Sequence, residues 1–115
     1  MILKTFKYQS SNIYYQIAGT GKPVILIHGF AEDGNIWQNQ IDLLKGHFKL
    51  IIPDLPGSGK SELIADMSIE GMAELIKAII AEENISQAIV LGHSMGGYIT
   101  LAIAEKYPEL ISAFG

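Results

Sequence analysis

Short runs of apolar residues alternate along the chain with polar segments that contain glycine. Near the start, two short β-rich runs, Lys4–Gln9 and Asn12–Ala18, are separated by the pair of serines Ser10-Ser11, which predicts a β-hairpin. Three later runs are apolar and rich in β-branched residues, as in strands that are buried inside a sheet. These runs are Val24–Ile27, Lys49–Pro53 and Ala88–Leu91.

Apolar residues at helical spacing separate these predicted strands. In the first such segment, Trp37, Ile41 and Leu44 share one face of a helix. Asn35 is the expected N-cap of this helix, and Gly46 is expected to end it. The helical spacing of Trp37 favours core packing over a place in a binding pocket.

Two further helices are predicted in the second half of the chain. Ser68 is expected to cap the first and Asn84 to close it. The second, Met95–Tyr107, is apolar almost all round, so we expect it to lie deep against the sheet, and Pro108 ends it. The apolar stripe of the first comprises Met72, Leu75, Ile76, Ile79 and Ile80.

Alternating strands and helices predict an α/β fold with a mostly parallel sheet, an N-terminal antiparallel hairpin and helices on both faces. In such sheets, ligands bind at the carboxyl ends of the strands. The 115 residues, of which 49% are hydrophobic and 17% charged, fit one globular domain over residues 1–115.

Charge and residue content exclude several classes of function. The net charge is −4, and the eight basic residues are all scattered lysines, which argues against nucleic acid as a partner. The absence of cysteine excludes disulfides, thiol catalysis and cysteine-ligated zinc. No segment is typical of a signal peptide or a membrane span, so the expected location is the cytoplasm and no membrane partner is predicted.

The segment Gly92–Gly97 carries the strongest chemical signal. It places Ser94 in the pattern G-x-S-x-G between an apolar strand and an apolar helix. A chain that turns this sharply leaves no room for side chains at Gly92 and Gly96, and it holds the serine in a strained conformation. Ser94 is therefore the predicted nucleophile, presented at a helix N-terminus where developing negative charge is stabilised.

His28, Gly29 and Phe30 follow directly after the strand Val24–Ile27. Acyl transfer at a serine needs two N–H donors directed at the oxyanion. We expect these donors to be the backbone N–H groups of Met95 and Phe30. The motif His-Gly-Phe alone is common, so its weight comes from its combination with the serine turn.

In their order and spacing, three motifs resemble the α/β-hydrolase superfamily. They are H-G-F after one strand, D-x-P-G-x-G-x-S at Asp54–Ser61 after the next, and G-H-S-M-G-G after the third. The resemblance covers essentially the whole chain and implies hydrolysis of an ester, thioester or similar acyl bond of a small molecule. It implies Ser94 as nucleophile rather than the aspartate of haloalkane dehalogenases and epoxide hydrolases. No metal or organic cofactor is implied.

The segment Gly57–Ser61 also resembles the end of a phosphate-binding P-loop, which raises a nucleotide-binding alternative. That pattern requires a glycine at position 54, where this chain has Asp54. A carboxylate there would repel phosphate. We therefore expect a structural loop in which Asp54 accepts hydrogen bonds from nearby backbone.

None of the three histidines is a good candidate for the general base of Ser94. His93 adjoins the serine but should point elsewhere, His28 is expected to have a structural hydrogen-bonding role, and His47 should be exposed at a helix end. In the resembling family, the acid and the histidine of the triad lie downstream of the serine. The 115-residue chain is therefore expected to be a truncated, inactive half of a hydrolase.

Two expectations follow from this interpretation. Residues Ile111–Gly115 should begin a further strand, and Ala88–Leu91 should become an exposed, apolar sheet edge. The chain should then self-associate or pair with the missing C-terminal half. The alternative to an enzyme is a non-catalytic module that only folds or self-associates.

Overall fold

The computed structural model describes residues 1–115 and contains one six-stranded sheet with the strand order β1-β2-β4-β3-β5-β6. Strand β3 is parallel to both of its neighbours, β4 and β5, and β6 is parallel to β5. Strand β2 runs antiparallel to β1 and β4. The predicted α/β fold is thereby confirmed. The strands are β1 Ile2–Tyr8, β2 Ser11–Ala18, β3 Lys22–Ile27, β4 Phe48–Pro53, β5 Ala88–Gly92 and β6 Ile111–Phe114.

Three α-helices cover the two faces of the sheet, as predicted. They are α1 Gln38–Leu44, α2 Ile69–Glu82 and α3 Met95–Lys106, and 3-10 turns occupy Gly34–Trp37 and Pro108–Leu110. Helices α2 and α3 enclose a cluster of 18 buried residues on one face, whereas α1 covers a cluster of six on the other. The first face therefore carries most of the hydrophobic stabilisation.

The ends of two helices show how local chemistry defines them. The Ser68 hydroxyl accepts the Gly71 N–H at 3.0 Å, so the predicted N-cap of α2 is confirmed. At the other end of α2, Asn84 has a φ of 56° and lies one residue beyond the cap, in the left-handed conformation that closes a helix. The prediction that Asn35 caps the helix of Trp37, Ile41 and Leu44 is wrong: a 3-10 turn leads into α1, and its cap is Asp33, whose carboxylate accepts the Asn35 N–H at 2.8 Å.

The hairpin turn lies one residue earlier than the pair of serines suggested. Gln9 and Ser10 both have positive φ, at 50° and 75°, as in the two-residue turn that matches the twist of a hairpin. Residues Ile111–Phe114 form β6, which confirms the further strand. Because β6 pairs with β5, the prediction that β5 is an exposed edge is wrong.

Helix α3 is less enclosed than its apolar sequence indicated. Ile99 and Ile103 are buried against the sheet, but Tyr98 is 68% exposed and Leu101 is 54% exposed. The prediction that α3 lies deep is therefore correct for one face only, because no element of the chain packs on the other. None of the helices has the length and apolar character that crossing a bilayer would require.

Candidate active site

Ser94 lies in the turn between β5 and α3, at the carboxyl end of the parallel strands. Its φ of 57° and ψ of −118° belong to a region that residues other than glycine rarely adopt. A Cβ atom on Gly92 would lie 2.2 Å from the Gly96 carbonyl oxygen, and one on Gly96 would lie 2.2 Å from that of Ile27. Both positions therefore exclude a side chain, as predicted. At Gly97 the nearest atom would be 4.0 Å away, so that glycine is not sterically required.

The side chain of Ser94 is exposed and stands at the N-terminus of α3. The helix starts with hydrogen bonds from Gly96 to the His93 carbonyl and from Gly97 to the Ser94 carbonyl, each 2.9 Å long. Met95 is the first residue of α3, and the first N–H groups of a helix have no acceptor within the helix, so its N–H is available to another acceptor. A free N–H at a helix start favours an anion beside Ser94.

His28 is fully buried beneath the neighbouring loop and is held at both ring nitrogens. Its Nε2 accepts the Leu55 N–H at 2.9 Å, and its Nδ1 lies 2.8 Å from the Gly29 carbonyl oxygen. Because a carbonyl can only accept, Nδ1 must carry the proton. The structural role predicted for His28 is thereby confirmed.

The peptide that joins Gly29 to Phe30 is oriented by these contacts. Its carbonyl accepts hydrogen bonds from the Nδ1–H of His28 and, at 3.3 Å, from the N–H of Glu32. Since a trans peptide is planar, its N–H, which belongs to Phe30, must point in the opposite direction. That N–H has no acceptor among the loop hydrogen bonds, and the Phe30 side chain is 81% exposed.

The two loops predicted to form the site are in direct contact. A Cβ atom on Gly29 would lie 2.9 Å from the Cβ of Ser94. The His93 N–H donates to the Ile27 carbonyl at 2.9 Å, which fixes the start of the serine turn to the end of β3. We refer to residues 28–32 and residues 92–97 by the roles expected of them from the sequence, as the oxyanion loop and the nucleophile elbow.

One residue that joins these loops was not anticipated from the sequence. Oε1 of Glu32 accepts the Gly29 N–H at 2.7 Å and lies 3.0 Å from Nδ1 of His93. The hydrogen bond from His93, reinforced by that from Gly29, holds the pKa of Glu32 below its usual range. The only sequence signal for this role of Glu32 was the presence of a carboxylate in the loop that follows the H-G-F motif.

No histidine is bound to the Ser94 hydroxyl. His28 uses both ring nitrogens in the oxyanion loop, the His93 ring contacts Glu32, and His47 is exposed in the segment before β4. This arrangement agrees with the expectation that none of them is the general base.

An open cleft of about 420 Å³ borders Ser94 on the side of α3. Its apolar walls are Tyr98, Leu101 and Phe114. Gly92 and Gly115, at the ends of β5 and β6, also line the cleft. Ser94 therefore faces apolar surface that suits a hydrocarbon group.

The loop after β4 is built around the Asp54 carboxylate. Its two oxygens accept the N–H groups of Gly34 and Lys60, at 3.0 and 3.1 Å. A Cβ atom on Gly59 would lie 2.3 Å from that carboxylate, so the carboxylate occupies the space inside the loop. This confirms the predicted structural role of Asp54 and leaves no cradle for phosphate.

Comparisons with known proteins agree with this architecture. A family profile described as alpha/beta hydrolase fold matches residues 22–114. The pimeloyl-[acyl-carrier protein] methyl ester esterase of Yersinia enterocolitica is 39% identical over 100 residues, which cover 86% of this chain and 37% of that protein.

Two solved structures superpose closely. The epoxide hydrolase CorEH has a TM-score of 0.94 at 26% identity, covering 98% of this chain and 40% of its own. Est816, described as an N-acyl homoserine lactone degrading enzyme, has a TM-score of 0.92 at 26% identity. The match covers 96% of this chain and 43% of Est816. The chain thus spans about 40% of the length of the proteins it matches.

Proposed function

Because this chain belongs to the alpha/beta hydrolase fold family, we propose that it carries the nucleophile and oxyanion hole of a serine hydrolase. The substrate class is a small molecule with an ester, thioester or related acyl bond. The single observation that carries the proposal is the contact between the oxyanion loop and Ser94, whose strained backbone places it at the start of α3 and against Gly29.

The proposed reaction begins with attack of Ser94 Oγ on the acyl carbon, while a base takes the hydroxyl proton. The N–H groups of Phe30 and Met95 donate to the oxyanion of the tetrahedral intermediate. Collapse of this intermediate releases the alcohol or thiol, which takes up a proton, and leaves an acyl-serine. Water then attacks the acyl-serine, frees the carboxylic acid and returns the proton to Ser94.

An acyl bond is preferred to an epoxide as the substrate because position 94 is serine. Relatives of both kinds are similar to this chain: an esterase by sequence and an epoxide hydrolase by structure. Serine forms an ester with an acyl group that water hydrolyses at the carbonyl carbon. Attack on an epoxide would instead leave a stable ether, which gives no turnover.

The base and acid of the triad are proposed to come from outside the 115 residues, since both ring nitrogens of His28 and the Nδ1 of His93 are already engaged. Without them, catalysis is limited to oxyanion stabilisation and binding. The second candidate function, a non-catalytic module, rests on this lack of a base.

Chemical rescue separates the two candidates. The purified chain is treated with a fluorophosphonate with and without added imidazole, and its intact mass is measured. We expect one adduct, faster with imidazole and lost in Ser94→Ala. A folded chain that gives no adduct under either condition contradicts the serine-hydrolase proposal and favours the non-catalytic module.

The uncovered side of α3 forms the second part of the proposal. Tyr98, Leu101 and Phe114 are each more than half exposed and adjoin one another along the cleft. We propose that further polypeptide covers this surface in the active enzyme, as the greater length of the relatives allows. In the isolated 115-residue chain, a second copy should take its place. Light scattering that finds only a stable monomer would contradict this.

A further inference from the structure

We infer that Glu32 is a positioning residue that fixes the oxyanion loop against the nucleophile elbow. One carboxylate oxygen of Glu32 holds both the Gly29 N–H and the His93 ring. The inference rests on the proposed acyl transfer at Ser94, because it assigns the orientation of a donor for that reaction.

On the loop side, Glu32 holds both polar backbone groups of Gly29. Its own N–H donates to the Gly29 carbonyl at 3.3 Å, and its carboxylate accepts the Gly29 N–H at 2.7 Å. Two contacts from one residue limit rotation of the peptides on either side of Gly29. The direction of the Phe30 N–H follows from this restraint, because it shares a planar peptide with the Gly29 carbonyl.

On the elbow side, the contact of Glu32 is with the residue directly before the nucleophile. The Nδ1–H of His93 donates to the carboxylate at 3.0 Å, and the backbone N–H of His93 donates to Ile27. Ser94 therefore follows a residue that is tied to the oxyanion loop by its side chain and to β3 by its backbone. The carboxylate sets the spacing between the nucleophile and the Phe30 donor.

Side-chain packing does little to hold the part of the loop beyond His28 in this place. The side chain of Phe30 is 81% exposed, Ala31 is exposed, and Gly29 has no side chain. Ala31 also has a φ of 61°, a left-handed conformation that is unfavourable for alanine. Hydrogen bonds must therefore maintain the strained loop, and Glu32 is a major source of them.

The test compares Glu32→Ala, which removes the acceptor, with Glu32→Gln, which can keep both contacts through its amide oxygen. Glu105→Ala is the matched control, because Glu105 is exposed on α3 and its side chain makes no hydrogen bond or ion pair. The first readout is amide hydrogen exchange of Gly29 by NMR. We expect the Gly29 amide to exchange about tenfold faster in Glu32→Ala than in the chain without substitutions. In Glu32→Gln and Glu105→Ala, its exchange rate should stay close to that of the chain without substitutions.

The second readout is the rate of Ser94 modification by fluorophosphonate in the presence of imidazole. We expect the rate at saturating probe to fall about tenfold in Glu32→Ala, because a misplaced oxyanion donor loses part of its effect, with half-saturation unchanged. Glu32→Gln should recover most of the rate, which a merely structural defect would not predict.

Unchanged Gly29 exchange in Glu32→Ala would overturn the inference. Faster exchange with an unchanged modification rate would also overturn it, because the restraint would then have no bearing on Ser94. If Ser94 of the unmodified chain gave no adduct at all, the proposed function would fail instead, and the exchange experiment would still decide whether Glu32 holds the loop.

Discussion

The nucleophile elbow and the oxyanion loop lie side by side, yet they are held in shape by different forces. In the elbow, backbone atoms approach Gly92 and Gly96 so closely that no side chain fits. In the oxyanion loop, the shape depends on two side chains: the His28 ring donates to the Gly29 carbonyl, and the Glu32 carboxylate accepts the Gly29 N–H. A steric constraint is all or none, whereas hydrogen bonds can be removed one at a time. Substitutions should therefore have abrupt effects in the elbow and graded effects in the loop.

The largest effect is expected for Gly96→Ala. The new methyl group would meet the carbonyl oxygens of Ile27 and His28 at 2.2 and 2.7 Å, which are backbone atoms that cannot turn aside. We expect a loss of about 3 kcal/mol or more in the free energy of unfolding, measured with urea. Gly97→Ala is the matched control, since its methyl group meets no atom closer than 4.0 Å. Equal losses in both variants would show that the elbow is not sterically limited.

The next effect is expected in the loop, for His28→Leu. Leucine fills much of the same buried space but leaves the Leu55 N–H without its acceptor. The Gly29 carbonyl keeps the Glu32 N–H. One unpaired buried donor costs about 2 kcal/mol of unfolding free energy. The same change at the exposed His47 should cost less than about 0.5 kcal/mol. A His28→Leu chain as stable as its His47→Leu counterpart would argue against a restraint by hydrogen bonds.

A smaller and opposite effect is expected for Ser94→Gly. The φ of 57° and ψ of −118° strain serine but suit glycine. Relief of this strain, less the greater freedom of glycine in the unfolded chain, should stabilise the chain by about 1 kcal/mol. Ser94→Ala, which keeps the strained backbone and loses only the hydroxyl, separates the two contributions. If alanine stabilised as much as glycine, the strain would not be the cause.

The finest distinction comes from acid titration. Because the pKa of Glu32 lies below the ordinary value of 4.5, its contacts favour the folded loop fully above that pH. They are lost as the pH falls through the lowered pKa. The protection of the Gly29 amide, measured as its exchange rate relative to the intrinsic rate at each pH, should therefore fall only below pH 4.5, while Gly96 remains protected. Simultaneous loss of protection at both glycines would mean that the two loops share one restraint.

The sequence allowed prediction of the features that depend on neighbouring residues. The glycines around Ser94, the Ser68 cap and the apolar strand Val24–Ile27 each have a local physical cause that is visible in the residue order. Even locally, two capping residues close together can mislead, since Asp33 rather than Asn35 accepts the first hydrogen bond of its turn.

Features that depend on distant partners could not be predicted in the same way. An apolar helix such as α3 does not reveal which of its faces the fold leaves uncovered. The pairing of β5 with β6 was missed because a strand cannot be recognised as an edge without its neighbours. Glu32 was missed for a related reason. Its partner Gly29 lies in the same loop, but its other partner, His93, lies in a loop far away in the chain.

The position of β3 between β4 and β5 has a consequence for how the chain folds. The β1–β2 hairpin closes over two residues and can form within microseconds, before much else is in place. Pairing of β5 with β3 requires closure of a loop that contains α1, β4 and α2, which is slow. Ser94 can meet Gly29 only after that closure. Chains in which β3 and β5 have not yet paired therefore lack the site.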